Sequence, residues 1–542
     1  MYSKCGEVYE SVKVFDEMPV RDTVSWNSMI WGFLGIGDLT MGFGGFRRMY
    51  DSGMYRIDQA TLTTVLSACD NVDMVCVCEM IHLVVIRNGY ERETSVGNAL
   101  ITSYFKCGSE DSGKRVFGEM GFGVNVITWT AVISGFAQGQ LYEESLGLYL
   151  EMRAGFVEPN SLTYASSLLA CSGLRALREG HKIHCLILKS GFQLDLCVES
   201  ALMDMYSKCG SMEDACCIFD GAEELDDISL TVILVGFAQN GLEEEAIKIF
   251  VKMVKANITI DSNVVSAILG VFGDDGSLGL GMQIHSLVIK KRLCSNTFVS
   301  NGLINMYSKC GNLEDSVKVF YLTTQKNFVS WNSMIAAFAR HGNGFNALQL
   351  YENMRLEGVD PTDVTFLSLL HACSHIGLIG KGIELLESMS KVHGISPRTE
   401  HFACVVDMLG RAGRLNEAKI FIYGLSVEPG VLVWQALLGA CSMHGDSQVG
   451  KYAADKLLLA APESISAYVL MANIYSSERR WEERSEVIKK MKEVGVKKDT
   501  GMSWIEIDKK VHTFVVEDTF HSQGEIIYGL LEELYKSMKD EG

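Results

Sequence analysis

The phrase Met306-Tyr-Ser-Lys-Cys-Gly311 decides the fold, because it stands again at Met205-Tyr-Ser-Lys-Cys-Gly210 and at Met1-Tyr-Ser-Lys-Cys-Gly6. Looser copies read Ser103-Tyr-Phe-Lys-Cys-Gly108 and Met408-Leu-Gly-Arg-Ala-Gly413, so successive copies start 102, 102, 101 and 102 residues apart. Two other markers keep step. Trp26, Trp129, Leu230, Trp331 and Trp434 follow one another at 103, 101, 101 and 103 residues, and Ile81-His82 recurs as Ile183-His184 and Ile284-His285. Chance does not hold three markers in phase over more than 400 residues, and a fixed period is how a repeat architecture shows itself in sequence.

The cleanest period divides into 227–261, 262–296 and 297–327, which is 35, 35 and 31 residues. Each part carries two helical patterns. Trp331, Ile335 and Phe338 fall at i, i+4 and i+7, and Ala347, Tyr351 and Met354 repeat that spacing after the break Gly342-Asn343-Gly344. Gly241, Gly311 and Gly342 stand where a helix must stop. One helical hairpin cannot cover its own apolar stripe, so neighbours must stack. The expected fold is all-α, a right-handed α-solenoid of stacked helix-turn-helix repeats with a concave groove. Its divisions are a truncated repeat at 1–22, triplets at 23–125, 126–226, 227–327 and 328–430, two further repeats over 431–499, and a tail at 500–542.

Composition agrees. The chain has 542 residues, 48% of them hydrophobic and 21% charged, with only 6 Pro and no Pro/Ser-rich linker, which excludes a disordered chain. No apolar run approaches the roughly 18 residues a membrane helix needs, so no membrane partner is expected. The 16 Cys include no C-x-x-C pair, the nearest being Cys76 with Cys78 and Cys216 with Cys217. That spacing speaks for reduced thiols and against a zinc site. His82, His184 and His285 share one frame ahead of an apolar stretch, which favours a packing or hydrogen-bonding role over metal binding or acid/base work. Cys69, Cys171 and Cys373 likewise fit as small buried hydrophobes. No phosphate-cradling G-x-x-x-x-G-K-[ST] loop is present. The reading assigns no catalytic residue, no metal and no cofactor.

The 35/35/31 alternation, Val329-Ser-Trp-Asn-Ser-Met-Ile335, the Ile-His pairs and the Met306 phrase together resemble the plant pentatricopeptide repeat (PPR) family, in its subclass of alternating P, L and S repeats. The resemblance covers the whole chain. In the tail, 431–464 and 465–499 look like the family's E repeats. Gly501-Met-Ser-Trp-Ile-Glu-Ile507 and Val511-His-Thr-Phe514 resemble its extended E segment.

That resemblance implies a ligand, single-stranded organellar RNA, whose unstacked bases can be read one per repeat by two or three side chains. It also implies which positions read. The fifth and last residues of a repeat face one base edge, giving Asn98/Asn125, Thr130/Asn160, Ser200/Asp226, Thr231/Asp261, Asn301/Asn327 and Asn332/Thr362. Val24, Ile127, Ile228 and Val329, second in their repeats, are wedges between bases. The expected footprint runs pyrimidine for 94–125, adenine for 126–160, guanine for 196–226 and 227–261, and pyrimidine for 297–327. The 23–58 repeat has one extra residue, so Asn27 pairs with either Ile57 or Asp58, and a uracil preference follows only with Asp58. Asn332/Thr362 lies outside the usual combinations, and Gly430 stands where an acidic partner to Ala403 is expected. The L repeats, with Thr63/Glu93, Ala165/Asp195 and Ser266/Asn296, should read weakly.

The formal charge of −19 is unusual for a nucleic-acid binder, whose affinity normally comes from Lys and Arg on phosphates. Lys208, Lys309, Arg340, Arg411 and Arg414 recur near the hairpin bends, but base stacking and edge contacts must carry much of the binding. A cytidine deaminase needs H-x-E followed by C-x-x-C around zinc, and neither is present. By resemblance the chain is therefore the recognition half of a C-to-U editing factor. Its deaminase, a DYW-type protein, or an organellar RNA-editing factor would dock on the tail. The amphipathic stretch 525–535, apolar at 526, 527, 530, 531 and 534, either caps the last repeat or receives that partner.

Met1 aligns with the tenth residue of its repeat, so the native chain is expected to start upstream, with Val12, Val14 and Phe15 partly uncovered and any transit peptide outside this chain. Resemblance places the protein in a plant organelle, the mitochondrion before the chloroplast. Two other classes share the hairpins. An organellar splicing or stability factor would use the same groove without a deaminase, and a tetratricopeptide-type peptide scaffold would keep a uniform period of about 34 residues.

Overall fold

The computed structural model describes residues 8–222, 226–272, 278–495, 501–507, 510–515 and 523–540. The first copy of the phrase, Met1–Gly6, and His521 lie outside them. The copy at Met205 shows what each letter does. Met205 and Tyr206 are buried on the helix Leu196–Lys208, Lys208 is exposed, and Gly210 takes φ +81. Gly210 N–H then bonds Ser207 O at 3.1 Å and Ser211 N–H bonds Tyr206 O at 2.9 Å, satisfying carbonyls that the helix end would orphan. A side chain at Gly210 would be strained at that φ.

The described residues form thirty α-helices, grouped in hairpins, and two strands. They divide into two compact units, Met1–Gly302 and Leu303–Gly542. Inside each unit the first helices of successive hairpins pack side by side, as Ser161–Leu174, Leu196–Lys208 and Asp227–Gln239 do in one and Phe328–Arg340, Asp363–Ile376 and Thr399–Arg411 do in the other. Most second helices seat against their own first helix and the next one, as Leu177–Ser190 does between Ser161–Leu174 and Leu196–Lys208. One wall of each unit is thus made of first helices only.

Close approach of helices is set by a small residue at the twentieth position of most repeats, the 465–499 repeat with Arg484 being an exception. Ser145, Ala215, Ala246, Ser316, Ala347 and Ala418 are fully buried there. Ser145 and Ser316 donate to the carbonyls of Ile133 and Ile304, both at 2.9 Å. Gly180 and Gly382 fill the same position, and a Cβ on either would overlap the thioether of Met205 or Met408. Successive first helices are also stitched at their ends. Asn240, His341 and His444 donate to the carbonyls of Ser207, Ser308 and Gly410, each at 2.9 Å.

The recurrent histidines take the packing role expected of them. His82 Nδ1 lies 2.9 Å from the Tyr104 hydroxyl and His184 Nδ1 lies 2.8 Å from that of Tyr206, joining an L repeat's second helix to the phrase in the next repeat. Burial holds both imidazoles below the ordinary histidine range. Cys69, Cys171 and Cys373 are fully buried, and desolvation pushes their thiols up to about 12, 12 and 11.

Two details differ from expectation. Phe15 is buried rather than uncovered, because the Trp26 ring stands edge-on to it at 4.8 Å; Val14 alone of the three is exposed. The tail is not wholly helical. Met502–Ile507 and Lys510–Val515 pair as an antiparallel hairpin in which Ile505 faces His512. Of the two roles open for the tail helix, capping is the less supported: among the described residues, Ile526, Leu530, Leu531, Leu534 and Met538 of Gly524–Asp540 are each more than half exposed.

Candidate nucleic-acid interface

The last residue of a repeat turns out to be the N-cap of the next first helix. Asp58 Oδ1 accepts from Thr61 N–H at 2.8 Å, Asn125 Oδ1 from Thr128 N–H at 3.0 Å, Asn160 Oδ1 from Thr163 N–H at 2.8 Å and Asp226 Oδ1 from Ser229 N–H at 2.7 Å. Asp261 Oδ1 caps Val264 N–H at 2.9 Å, Asn327 Oδ1 caps Ser330 N–H at 3.0 Å, and Thr362 Oγ1 caps Thr365 N–H at 3.4 Å. Asp, Asn and Thr recur at this position because a short side-chain oxygen must satisfy an orphan N–H.

Capping fixes what remains for a ligand. An Asn whose carbonyl oxygen is consumed by the cap turns its NH₂ outward, so Asn160 offers donors. An Asp with one oxygen in the cap keeps the other as an acceptor, as Asp226 and Asp261 do. Donors suit the ring acceptors of adenine, and an acceptor suits the N–H groups on the Watson–Crick edge of guanine.

The structure joins three of the seven fifth and last pairs directly, across about thirty residues of chain. Asn27 Nδ2 donates to Asp58 Oδ1 at 3.0 Å, Thr130 Oγ1 lies 3.4 Å from Asn160 Oδ1, and Asn332 Nδ2 donates to Thr362 Oγ1 at 2.9 Å. For Asn27, geometry selects Asp58 over Ile57, which is buried. Burial would raise the Asp58 carboxyl, but hydrogen bonds from Thr61 and Asn27 outweigh it and hold the group below its usual range. Ser200 reaches its partner's helix through Ser229, hydroxyl to hydroxyl at 3.4 Å. Two pairs are not joined. Thr231 turns its hydroxyl back to Asp227 O at 2.8 Å, and Asn98 keeps a buried Oδ1 with no donor beside Asn125. Asn301 and Asn327 fall in different units; Asn301 is buried and Asn327 is the cap just described.

The second residues stand out beside these pairs. Val24, Ile127 and Ile228 are 68%, 58% and 62% exposed, and Val329 is exposed too, so the same frame position stays uncovered in four repeats. Between Ile127 and Leu162, the second residues of consecutive repeats, lies a pocket of about 440 Å³ lined also by Thr130, Asn160 and Lys106. Its volume is within the usual range for small-molecule sites. A larger cavity of about 670 Å³ among Phe320, Trp331 and Leu350 contains none of the paired residues. In the L repeats no bond joins Ala165 to Asp195, and Glu93 makes no side-chain cap.

Three of the five bend cations are already bonded to carboxylates. Lys208 Nζ sits 2.8 Å from Asp204, Arg411 Nε 2.8 Å from Asp407, and Arg414 forks onto Glu417. Arg340 donates to Ser308 Oγ at 3.0 Å.

The reading of the residues missed one component, the hydroxyl at the third position of the next repeat. Thr61, Thr163 and Thr365 are buried and bonded to both members of the preceding pair. Their recurrence three residues after each cap was the available signal.

Comparison with known proteins agrees with the repeat frame. Models described as PPR repeat match 1–22, 24–54, 98–121, 127–154, 200–225, 228–258, 298–328 and 364–392; the PPR repeat family matches 326–375, and the E motif matches 444–506. A putative pentatricopeptide repeat-containing protein of Arabidopsis thaliana is 37% identical over 99% of this chain and 77% of its own length. Two further relatives from that plant, named chloroplastic and mitochondrial, are 36% and 34% identical over 99% and 100% of this chain and 64% and 70% of theirs. Among solved structures, maize PPR10 in complex with an 18-nt psaJ RNA element superposes with a TM-score of 0.57 at 16% identity, over 91% of this chain and 83% of that one. The repeat period, the stacked hairpins and these matches together place the chain in the pentatricopeptide repeat family.

Proposed function

We propose that this protein binds single-stranded RNA along the wall of first helices, one unstacked base per repeat, and marks one cytidine of an organellar transcript for conversion to uridine. The observation that carries the reading is the recurring arrangement of an exposed apolar second residue beside a hydrogen-bonded fifth and last pair, with a pocket between Ile127 and Leu162. Apolar flanks suit the two faces of a base, and the polar pair suits its edge. The RNA-bound PPR10 neighbour supports the ligand class. The reader residues are Asn27/Asp58, Asn98/Asn125, Thr130/Asn160, Ser200/Asp226, Thr231/Asp261 and Asn332/Thr362, within the triplet division set out above.

The deaminase arrives in trans on the tail. The E motif match and the uncovered apolar face of Gly524–Asp540 support a docking role there. The organelle is the mitochondrion, a compartment represented among the relatives together with the chloroplast. Pull-down of organellar transcripts, followed by C-to-U status in a loss-of-function plant, tests the reading. One unconverted cytidine is the expected result; normal conversion with an accumulated intron would make this a splicing factor instead.

A further inference from the structure

We infer that the third-position hydroxyl of the following repeat is a positioning residue for base choice, and that through it the Asn332/Thr362 repeat selects the same base as the Asn27/Asp58 repeat. The inference rests on the RNA-reading proposal and adds a residue to the sites where that hydroxyl reaches the fifth residue, as Thr61, Thr163 and Thr365 do and as Thr128, bonded to Asn125 alone of its pair, does not. An Asn amide is nearly symmetric in shape, so alone it can present either its oxygen or its nitrogen to a given point of a base edge. Something must decide which way it faces.

In the 328–362 repeat the decision is traceable bond by bond. Thr362 N–H donates to Thr365 Oγ1 at 2.8 Å. The Thr365 hydroxyl, accepting there, sends its own proton to Asn332 Oδ1 at 2.6 Å. Asn332 Nδ2 is thereby turned toward Thr362 Oγ1, to which it donates at 2.9 Å. One amide N–H and one carbonyl lone pair remain for a ligand. Asn332 is 7% exposed and Thr365 fully buried, so water does not compete for these bonds.

The 23–58 repeat repeats the arrangement. Thr61 Oγ1 lies 2.7 Å from Asn27 Oδ1, and Asn27 Nδ2 donates to Asp58 Oδ1 at 3.0 Å. Asp58 and Thr362 differ in charge, but each does the same thing to the fifth residue, accepting one amide proton. The remaining donor and acceptor on Asn27 and Asn332 therefore face the same way. Where the hydroxyl is missing, the coupling is missing too: Val264 holds the third position after Thr231, whose hydroxyl bonds its own helix.

The test uses the full chain and a randomised pool of single-stranded RNA, with the bound fraction sequenced. The 23–58 and 328–362 repeats lie nine repeats apart. Wild-type protein should enrich the same base at the two nucleotides these repeats read, each by about fivefold or more, the lower bound for a good bidentate edge contact. Thr365→Val, which keeps the β-branch and removes the hydroxyl, should bring the enrichment at its own nucleotide below about twofold and leave the other positions unchanged, while Thr365→Ser retains it. Thr61→Val should do the same at the other nucleotide, and it carries the test should Thr365→Val lower the melting temperature enough to unfold the repeat. Different bases at the two nucleotides, or base choice that survives both valine variants while overall affinity falls, would overturn the inference. A wild-type pool with no base enriched anywhere would overturn the RNA reading beneath it.

Discussion

A cap residue and a reader residue make different demands, and Asp261 meets both with its two oxygens. Oδ1 caps Val264, and Oδ2 carries the remaining acceptor capacity. Asp261→Asn keeps the cap, since Asn caps as well as Asp, and exchanges the acceptor for donors. We expect the preferred base of the 227–261 repeat to move from guanine toward adenine with the melting temperature unchanged. Asp261→Ala should lose base preference and about 1 kcal/mol of stability together; binding to oligonucleotides varied at one position, beside thermal unfolding, separates the two. The buried histidines give a second residue-scale expectation. Burial lowers the folded-state pKa of His82 and His184 from 6.5, so the unfolded chain binds protons that the folded chain refuses. Their contribution is complete above about pH 6.5 and declines as pH falls from there toward the folded values. Melting temperature should drop between pH 7.5 and pH 5.5, and the drop should shrink in His82→Asn/His184→Asn.

At the scale of the element, the twentieth position limits how close two helices of a hairpin come. Ala347 is fully buried there, so Ala347→Leu forces side chains off their rotamers and should cost about 1–3 kcal/mol by urea unfolding, whereas Ala347→Ser should cost far less, as Ser145 and Ser316 occupy the equivalent place. Much at this scale was legible beforehand. The hairpins follow from the i, i+4, i+7 spacing around Trp331, and their stops follow from Gly241, Gly311 and Gly342, all of which take positive φ. The pairing of Asn27 with Asp58 was open in sequence, because the extra residue of that repeat permits two alignments and only a folded backbone chooses. The third-position hydroxyls were overlooked for a different reason. A Thr three residues after an Asn or Asp is ordinary helix-start chemistry, and its second bond, to a side chain some thirty residues earlier, has no trace along the chain. The two strands at Met502–Ile507 and Lys510–Val515 escaped because each is too short to show a convincing alternation.

For the whole molecule, charge is the constraint that separates this protein from ordinary nucleic-acid binders. It carries −19, and Lys208, Arg411 and Arg414 already hold carboxylates, so few counterions can be released from phosphates. A plot of log affinity against log salt should have a slope no steeper than about −3, corresponding to roughly four phosphate contacts on a single strand; a slope near −8 in fluorescence anisotropy would show that backbone neutralisation dominates. The N-caps have a consequence for how such a protein changes over time. In the repeats whose last residue caps through its side chain, that side chain has to launch the next helix, which confines it to a handful of short oxygen-bearing types, whereas Glu93 and Gly430 launch theirs without one. The fifth position carries no such duty. Drift toward new targets is therefore channelled unequally, with one letter of each pair held to a closed vocabulary by folding and the other open to experiment.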